Sequence, residues 1–324
     1  MRAMEKQGVM SISVRPVDPA TDLARIAELT NAAHPDSETE DLLREDLARQ
    51  MDGRFMRSLV ASVPGEPVAG YALVDHVPWQ PAGRFWVWVT ADKRWRGQGI
   101  GSTLFAQTLT LATEQGAAIL ATQVRDDQPE SLAFAERRNF HIERHTFESV
   151  IDLATFDQSR FAGLIEDVEA GGIRFFTLAD VGNTREALHK LWEVNYRAVL
   201  DDPASTGSFS SFEDFSQVVG QASWFDPEGQ IMAADGETIV GLGAVGYFQE
   251  TRSARNMITG VERAYRGRHI ALALKLLGIR YAKAKGALII RNNNDSQNAP
   301  MLAINRKLGY RPEPGVYRLI KKLI

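Results

Sequence analysis

Hydrophobic and polar positions along the first half of the chain follow two periods. Segments of bulky or alternating apolar residues predict strands, and segments with apolar residues three and four apart predict helices. In chain order the pattern predicts a strand at 12–17, helices at 21–33 and 38–51, a hairpin of strands at 58–63 and 68–75, a strand at 85–90, a helix at 100–115, a strand at 118–124 and a helix at 129–138. Strands alternating with helices indicate an α/β fold.

The second half of the chain repeats this order at a fixed distance. The segment Arg96-Gly97-Gln98-Gly99-Ile100-Gly101 has a counterpart in Arg266-Gly267-Arg268-His269-Ile270-Ala271, which begins 170 residues later. The same register continues without a gap through Leu104 and Leu274, and on to Gly116 and Gly286. The period is too long for a solenoid and indicates a duplicated domain.

Length agrees with this division, because 324 residues exceed the usual size of one hydrophobic core. The repeat predicts an N-terminal domain at 9–155 and a C-terminal domain at 173–324, whose first strand covers 173–178. Between them, residues 156–172 are polar and end in two glycines, which favours a linker.

Composition narrows the functional classes. A net charge of -4 and a pI near 5.9 argue against a nucleic-acid binder, which needs a basic face to neutralise phosphates. The longest apolar runs are far shorter than the roughly 20 residues that cross a bilayer, so we expect no membrane span. The absence of cysteine excludes disulfides and a thiol nucleophile, and it fits a cytoplasmic protein.

Three glycines fall within five residues between a buried strand and a helix in the first copy. Backbone N–H groups at such a helix start converge at the positive end of the helix dipole, where an anion fits. Gly97, Gly99 and Gly101 allow close approach of an anion, and Arg94 and Arg96 add positive charge. The segment has neither the Gly-Lys-Ser/Thr end of a Walker loop nor the dinucleotide-binding spacing. It predicts either a pyrophosphate site or a tight turn without a ligand.

The pattern Arg96-x-x-Gly99-x-Gly101, after an apolar strand and before an amphipathic helix, resembles the signature motif of GNAT acetyltransferases. In that family this loop holds the pyrophosphate of acetyl-CoA. The second half resembles the C-terminal domain of tandem GNAT proteins, the group that includes mycothiol synthases, at Asp202-Pro203, Thr259-x-Val261, Asn294, Asn298, Asn305 and Leu308-Gly309-Tyr310. The resemblance implies two consecutive GNAT folds, each a mixed, mostly antiparallel twisted sheet with helices on both faces.

The resemblance also implies which residues bind an acyl-CoA. In this family the central strand splays from its neighbour and exposes backbone groups that pair with the pantetheine arm. In the first copy, the implied cofactor-binding residues are Val89, Thr90, Ala91, Arg96, Gly97, Gln98, Gly99, Ile100, Gly101 and Ser102. In the second copy they are Thr259, Val261, Arg266, Gly267, Arg268, Ile270, Ala271, Asn294 and Asn298. Gln128 is the first-copy counterpart of Asn298, which matches an asparagine that commonly contacts the CoA arm.

The sequence departs from the family where acid–base chemistry is usual. The common general-acid tyrosine is Ala135 in the first copy and Asn305 in the second. The acidic residue of some members' central strands is replaced by Phe85 and Arg255.

Two loop carboxylates are candidate bases. Glu250, at the end of a strand predicted at 240–248, is the candidate catalytic base, with a solvated loop carboxylate as the alternative, and Asp75 is its rough equivalent in the first half. His141 and His145 lie beside Glu143 in a predicted strand without a third ligand, so we expect no metal site.

Two functions are consistent with these observations. The first is an N-acetyltransferase that moves an acetyl group from acetyl-CoA, as cosubstrate, to a primary amine of a small molecule. The second is a protein that binds or senses acyl-CoA without transfer. The acceptor, the catalytic half and the choice between monomer and homodimer stay open, because a fold and a cofactor loop do not define the acceptor pocket.

Overall fold

The computed structural model describes residues 11–33, 39–48, 52–78, 80–201 and 209–323; Asp202-Pro203 and the first residues of the expected domain at 9–155 lie outside the described residues. The elements of the first half are β1 (Ser13–Pro16), α1 (Leu23–Ala33), α2 (Glu40–Ala48), β2 (Phe55–Val63), β3 (Glu66–His76), β4 (Arg84–Ala91), α3 (Ile100–Glu114), β5 (Ile119–Arg125), α4 (Pro129–Glu136) and β6 (His141–Asp152). Those of the second half are α5 (Leu164–Ala170), β7 (Ile173–Thr177), α6 (Arg185–Leu200), α7 (Phe212–Val218), β8 (Gln230–Asp235), β9 (Thr238–Phe248), β10 (Ser253–Val261), α8 (Ile270–Ala284), β11 (Ile289–Asp295), α9 (Ala299–Leu308), β12 (Arg311–Pro312) and β13 (Val316–Lys322).

The described residues form two compact units of matching topology. The first contains the described residues up to Arg144 together with those from Val316 onward, and its strand order is β1-β2-β3-β4-β5-β13. The second spans His145–Gly315, with strand order β7-β8-β9-β10-β11-β6. In each unit one neighbouring pair is parallel, β4 with β5 and β10 with β11, and the pairs on either side are antiparallel. Both sheets are therefore mixed and mostly antiparallel, as the resemblance implies.

The last strand of each sheet comes from a distant part of the sequence. β13, near the end of the chain, pairs with β5 from Val316 opposite Arg125 to Lys322 opposite Ile119. Residues 146–152 of β6 pair instead with β11. The division expected from the sequence, with a linker at 156–172, would place β6 in the first domain and β13 in the second. The structure places residues 145–152 of β6 in the second unit and β13 in the first. Leu319 explains the placement of β13, because this side chain is fully buried in one apolar cluster with Leu120 and Phe85.

Residues 156–172, expected as a polar linker, have regular structure. They include a short 3₁₀ turn at Gln158–Phe161 and the helix α5. Phe161, Ile165 and Val168 are buried in the core of the second unit, together with residues of α8. The polar residues of this segment lie on the exposed face of a short amphipathic helix, and their composition alone resembles that of a linker.

Helices cover both faces of each sheet. In the first unit, α1 and α2 cover one face around Leu23, Ile26 and Val60, while α3 and α4 cover the other face. The second unit repeats the arrangement with α6 and α7 on one face and α8 on the other. No helix in the described ranges is both long and apolar enough to cross a membrane.

Candidate functional site

The parallel strands of the first unit pair over only three residues. Arg84, Phe85 and Trp86 of β4 lie opposite Ile119, Leu120 and Ala121 of β5. β4 continues to Ala91, with its other edge still paired to β3, but among the described residues its edge toward β5 has no strand partner beyond Trp86. Backbone N–H and C=O groups need partners, so this free edge can pair with an extended polar ligand.

The glycine loop joins the free end of β4 to α3. Gly97 and Gly99 have φ of 78° and 97°, in the left-handed region that glycine adopts at little cost. Gly99 is the N-cap of α3 and has no side chain, so it makes no side-chain capping bond to the first N–H groups of this 15-residue helix. At Gly101 an added Cβ would lie 3.1 Å from the ring of Phe134. The loop therefore leads into the N-terminus of α3 in a conformation that side chains oppose.

These features border one cleft of about 930 Å³ in the first unit. Nine of the ten residues implied for this copy line it, and Gln98 does not. Its inner wall is mostly apolar, formed by Val87, Phe105, Val124, Ala135 and Phe140. Gln128, at the start of α4, also lines it and donates through Nε2 to the carbonyl of Ala33, 2.7 Å away. The cleft joins a polar loop to an apolar interior.

The two arginines beside the first loop differ in their ion pairing. Arg94 donates to Asp92 and to Glu66, with 2.6 Å separating Arg94 Nη2 from Glu66 Oε2. Asp92 also pairs with Arg25 of α1, and its bonds with Arg94 are the main cause that lowers its pKa to about 2. Arg96 is freer, since its carboxylate partner is the exposed Glu130 at 3.5 Å. Arg96, rather than Arg94, remains available to an anion.

The second glycine loop keeps the backbone of the first but differs in charge. His269 takes the place of Gly99 with φ of 61°, so the left-handed conformation is retained at a steric cost. Arg266 forms an ion pair with Asp201, which also pairs with Arg263. Arg268 donates to the carbonyl of Gly171 at 2.9 Å. A smaller cavity of about 410 Å³ borders this loop, lined in part by Arg268, His269 and α5.

Polar side chains replace the apolar wall of the first cleft in the second unit. Five lining positions of the first cleft correspond, at the 170-residue spacing, to polar residues: Phe105 to Lys275, Thr122 to Asn292, Val124 to Asn294, Ala135 to Asn305 and Phe140 to Tyr310. These five polar residues are all buried. Lys275 Nζ donates to Asn292 Oδ1 at 3.1 Å, and Asn305 Nδ2 donates to Asn294 Oδ1 at 2.7 Å. The equivalent wall is a closed hydrogen-bonded cluster.

Comparison with known proteins agrees with this geometry. A profile of the acetyltransferase (GNAT) family matches residues 23–140, which contain the glycine loop and the splayed strands. The chain is similar over 96% of its length to a GCN5-related N-acetyltransferase from Sphaerobacter thermophilus, with 20% identity, a TM-score of 0.62 and 95% of that chain covered. A second similar structure is a tandem GNAT protein from the clavulanic acid biosynthesis pathway, which matches 96% of this chain with 18% identity and a TM-score of 0.61. The match covers 98% of that protein. Residues 23–140 therefore match the GNAT family, and the chain has the two-domain fold of tandem GNAT proteins.

Among characterised sequences, the chain is 24% identical over 288 residues to the mycothiol acetyltransferase of Thermobifida fusca (strain YX), and the match covers 84% of each protein. The family profile lies within the first GNAT domain. The second domain has the GNAT fold, and the repeat relates its sequence to that of the first.

Several residues implied for the second GNAT domain make bonds within the protein. Asn294 is buried, and its Nδ2 donates to Ser149 Oγ and to the carbonyl of Phe147. Asn298 caps α9, because its Oδ1 accepts from the N–H of Met301 at 3.3 Å. Thr259 Oγ1 donates to Asn256 Oδ1. These side chains therefore stabilise the second domain through internal hydrogen bonds.

Neither carboxylate proposed from the sequence lines the first cleft. Glu250 lies exposed in the turn between β9 and β10, and Asp75 forms an ion pair with Arg54 at 3.0 Å. His141 and His145 lie on β6. In the described part of the chain, no group of three or more His, Cys, Asp or Glu is placed to hold a metal ion.

Sequence reasoning missed two features of this protein. One is that Phe134, Arg137 and Arg138 line the first cleft. These residues lie in or just after α4, away from the glycine motif. The other is the polar cluster around Lys275. A signal for the cluster was present in the repeat itself, because aligning the copies at 170 residues exposes the change from apolar to polar.

Proposed function

We propose that this protein is an N-acetyltransferase that moves an acetyl group from acetyl-CoA to a primary amine of a small molecule, and that its first GNAT domain holds acetyl-CoA. The observation that carries the proposal is the first cleft. It joins a free strand edge, an uncapped helix N-terminus and an apolar wall in one space. The family match over residues 23–140 and the relative from Thermobifida fusca support acyl transfer as the chemistry.

The residues of the first cleft suit the chemical parts of acetyl-CoA. The N–H groups at Ile100, Gly101 and Ser102, with Arg96, would hold the diphosphate. The free edge from Val87 to Ala91 would pair with the amides of the pantetheine arm and bring N–H groups near the thioester carbonyl. When bound, acetyl-CoA supplies an acetyl group activated as a thioester. The apolar wall would exclude water from that group, so that the amine competes with little hydrolysis.

Differences between the two domains favour the first as the cofactor site. In the second loop Arg266 is neutralised by Asp201, and Arg268 is held by the backbone of Gly171. At the positions that match the wall of the first cleft, the second domain has buried residues joined by side-chain hydrogen bonds. Breaking those bonds to admit a pantetheine arm would leave buried polar groups unpaired, which costs roughly 1–3 kcal/mol for each group. The first domain requires no such disruption.

One observation favours the alternative of an acyl-CoA-binding or sensing protein. Among the described residues that line the first cleft, the only carboxylate is the exposed Glu130, and the usual general-acid position is Ala135. An amine that arrives protonated must lose a proton before it attacks. Under the leading proposal, an amine that is neutral at the working pH meets this need. We further propose a cytoplasmic location, consistent with the cysteine-free sequence.

Calorimetric titration of acetyl-CoA into the purified protein tests the proposal. Gly99→Glu places a carboxylate at the diphosphate site of the first domain, and Ala271→Glu does the same in the second. We expect Gly99→Glu to abolish binding and Ala271→Glu to leave it unchanged. Gly116→Glu is a matched control, because Gly116 has φ of 78°, lies at the other end of α3 and has no atom within 4 Å of an added Cβ.

Each outcome discriminates between assignments. Loss of binding only in Ala271→Glu would move the cofactor to the second domain. Absence of binding by the parent protein would refute the acyl-CoA proposal. If acetyl-CoA binds, a panel of small amines scored by release of free CoA thiol separates transfer from binding alone.

A further inference from the structure

Arg138, just beyond α4, lines the first cleft, and no carboxylate in the described ranges pairs with it. Its guanidinium lies over the ring of Phe134, 3.4 Å from the ring centroid, and close to the ring of Phe105. Its Nη2 donates to Ser102 Oγ at 2.7 Å, and its Nη1 donates to the carbonyl of Phe134 at 2.9 Å. The aromatic rings and α4 therefore fix this cation beside the first turn of α3.

Positive charge around Arg138 is not neutralised. In the part of the chain that the structure describes, neither Arg137 nor Arg138 forms an ion pair, and both line the cleft. Lys321 of β13 donates to the backbone carbonyl of Arg138 at 2.9 Å and brings a third cation to the same place. Burial and the neighbouring charge of Arg137 lower the pKa of Arg138, so an anion would be favourable there.

CoA carries one anionic group that the glycine loop would not bind. The N–H groups of α3 and Arg96 account for the diphosphate, but CoA also carries a phosphate on the 3′-oxygen of its ribose. We propose that Arg138, aided by Arg137, binds this 3′-phosphate and makes the first domain selective for CoA over 3′-dephospho-CoA. The inference rests on the proposed function. An arginine fork can hold a phosphate through two N–H groups, and Ser102 is a weaker, neutral partner that a phosphate can displace.

The test pairs a change in the protein with the matching change in the ligand. Calorimetry would measure the affinities of CoA and 3′-dephospho-CoA for the parent, Arg138→Gln and Arg138→Lys. Arg57→Gln is the matched control, because Arg57 also lies over a phenylalanine ring and donates to a backbone carbonyl, but is exposed and outside the cleft. Binding of 3′-dephospho-CoA by Arg138→Gln also reports whether the variant folds.

We expect the parent to bind CoA about tenfold or more tightly than 3′-dephospho-CoA, as one charged hydrogen-bonded contact provides. Arg138→Gln should lose that preference while keeping its affinity for 3′-dephospho-CoA, and Arg138→Lys should regain part of it. Equal weakening of both ligands would overturn the assignment, as would an unchanged affinity for CoA or a parent that does not distinguish the ligands. If the parent binds neither ligand, the proposed function itself fails.

Discussion

Lys275 is a buried amine whose surroundings cannot stabilise its charge. Its side chain is 2% exposed, it donates one hydrogen bond to Asn292 Oδ1, and its Nζ lies 5.3 Å from the centroid of the Tyr310 ring. No carboxylate in the described residues pairs with it. Burial lowers the pKa of Lys275 from 10.5 to about 7. Lys275→Met, which keeps an unbranched chain of similar length, should therefore stabilise the protein at neutral pH.

The sign follows from proton binding. Between pH 7 and 10.5 the unfolded state keeps the lysine proton and the folded state releases it, so the unfolding free energy of the parent rises with pH. Integrating between the two pKa values gives a penalty of about 4 kcal/mol at pH 7, of which about 2 kcal/mol is recovered by pH 9. Loss of the bond to Asn292 offsets part of the gain by roughly 1–3 kcal/mol. Lys275→Met should thus gain about 1–3 kcal/mol at pH 7.

Urea denaturation followed by circular dichroism, at pH 7 and pH 9 and equal ionic strength, measures the effect. The decisive quantity is the difference between variant and parent, because other titrating groups cancel in it. That difference should fall by about 2 kcal/mol from pH 7 to pH 9. Lys283→Met, on the exposed face of the same helix, is the matched control for removing a lysine charge. A pH-independent difference for Lys275→Met would show that Lys275 remains charged in the folded state, and would refute the reasoning.

Two further predictions concern the first domain. Ending the chain after Gly315 removes β13 and the buried Leu319 from the first domain, although the deletion lies at the far end of the sequence. We expect the truncated protein to lose cooperative unfolding of the first domain and to lose acetyl-CoA binding. Intact binding, measured by calorimetry, would contradict this prediction. Asp92→Asn should cost about 1 kcal/mol at pH 7 by breaking the partly exposed network with Arg25 and Arg94. Because the pKa of Asp92 is lowered to about 2, this cost should shrink as pH falls from 4 toward 2, as thermal unfolding of parent and variant can measure.

Most helices and strands of the first half could be predicted because their periodicity is local. The strand expected at 85–90 extends over Arg84–Ala91, and the helix expected at 100–115 covers Ile100–Glu114. The exchange of β6 and β13 could not be predicted in the same way. Each is an ordinary strand in sequence, and its partner is chosen by which open sheet edge its apolar face fits. The short helix α5 was hidden because it has only a narrow buried stripe.

In the candidate site, too, features set by the local sequence could be predicted, and features set by the fold could not. The left-handed loop could be predicted because glycine at Gly97 and Gly99 states a backbone requirement directly. Charge pairing could not, because Arg94 and Arg96 look alike in sequence and differ only in the carboxylates that the fold places beside them. Arg138 was missed for a different reason, since the fold, and not a sequence motif, brings it to the cleft, where no carboxylate of the described residues pairs with it.

The two domains show how one backbone can be kept while its interior changes chemistry. At five matched positions the first domain has mostly apolar side chains around an open cleft, and the second has Lys275, three asparagines and a tyrosine in a closed cluster. A single polar substitution in an apolar wall would cost stability, whereas a connected set satisfies most of its own hydrogen bonds. Tyr310 Oη and Asn305 Oδ1 remain without partners among the described residues, so the cluster is not fully satisfied. One substitution would therefore not convert this polar interior into the apolar wall of the first cleft, which agrees with the proposal that the first domain holds acetyl-CoA.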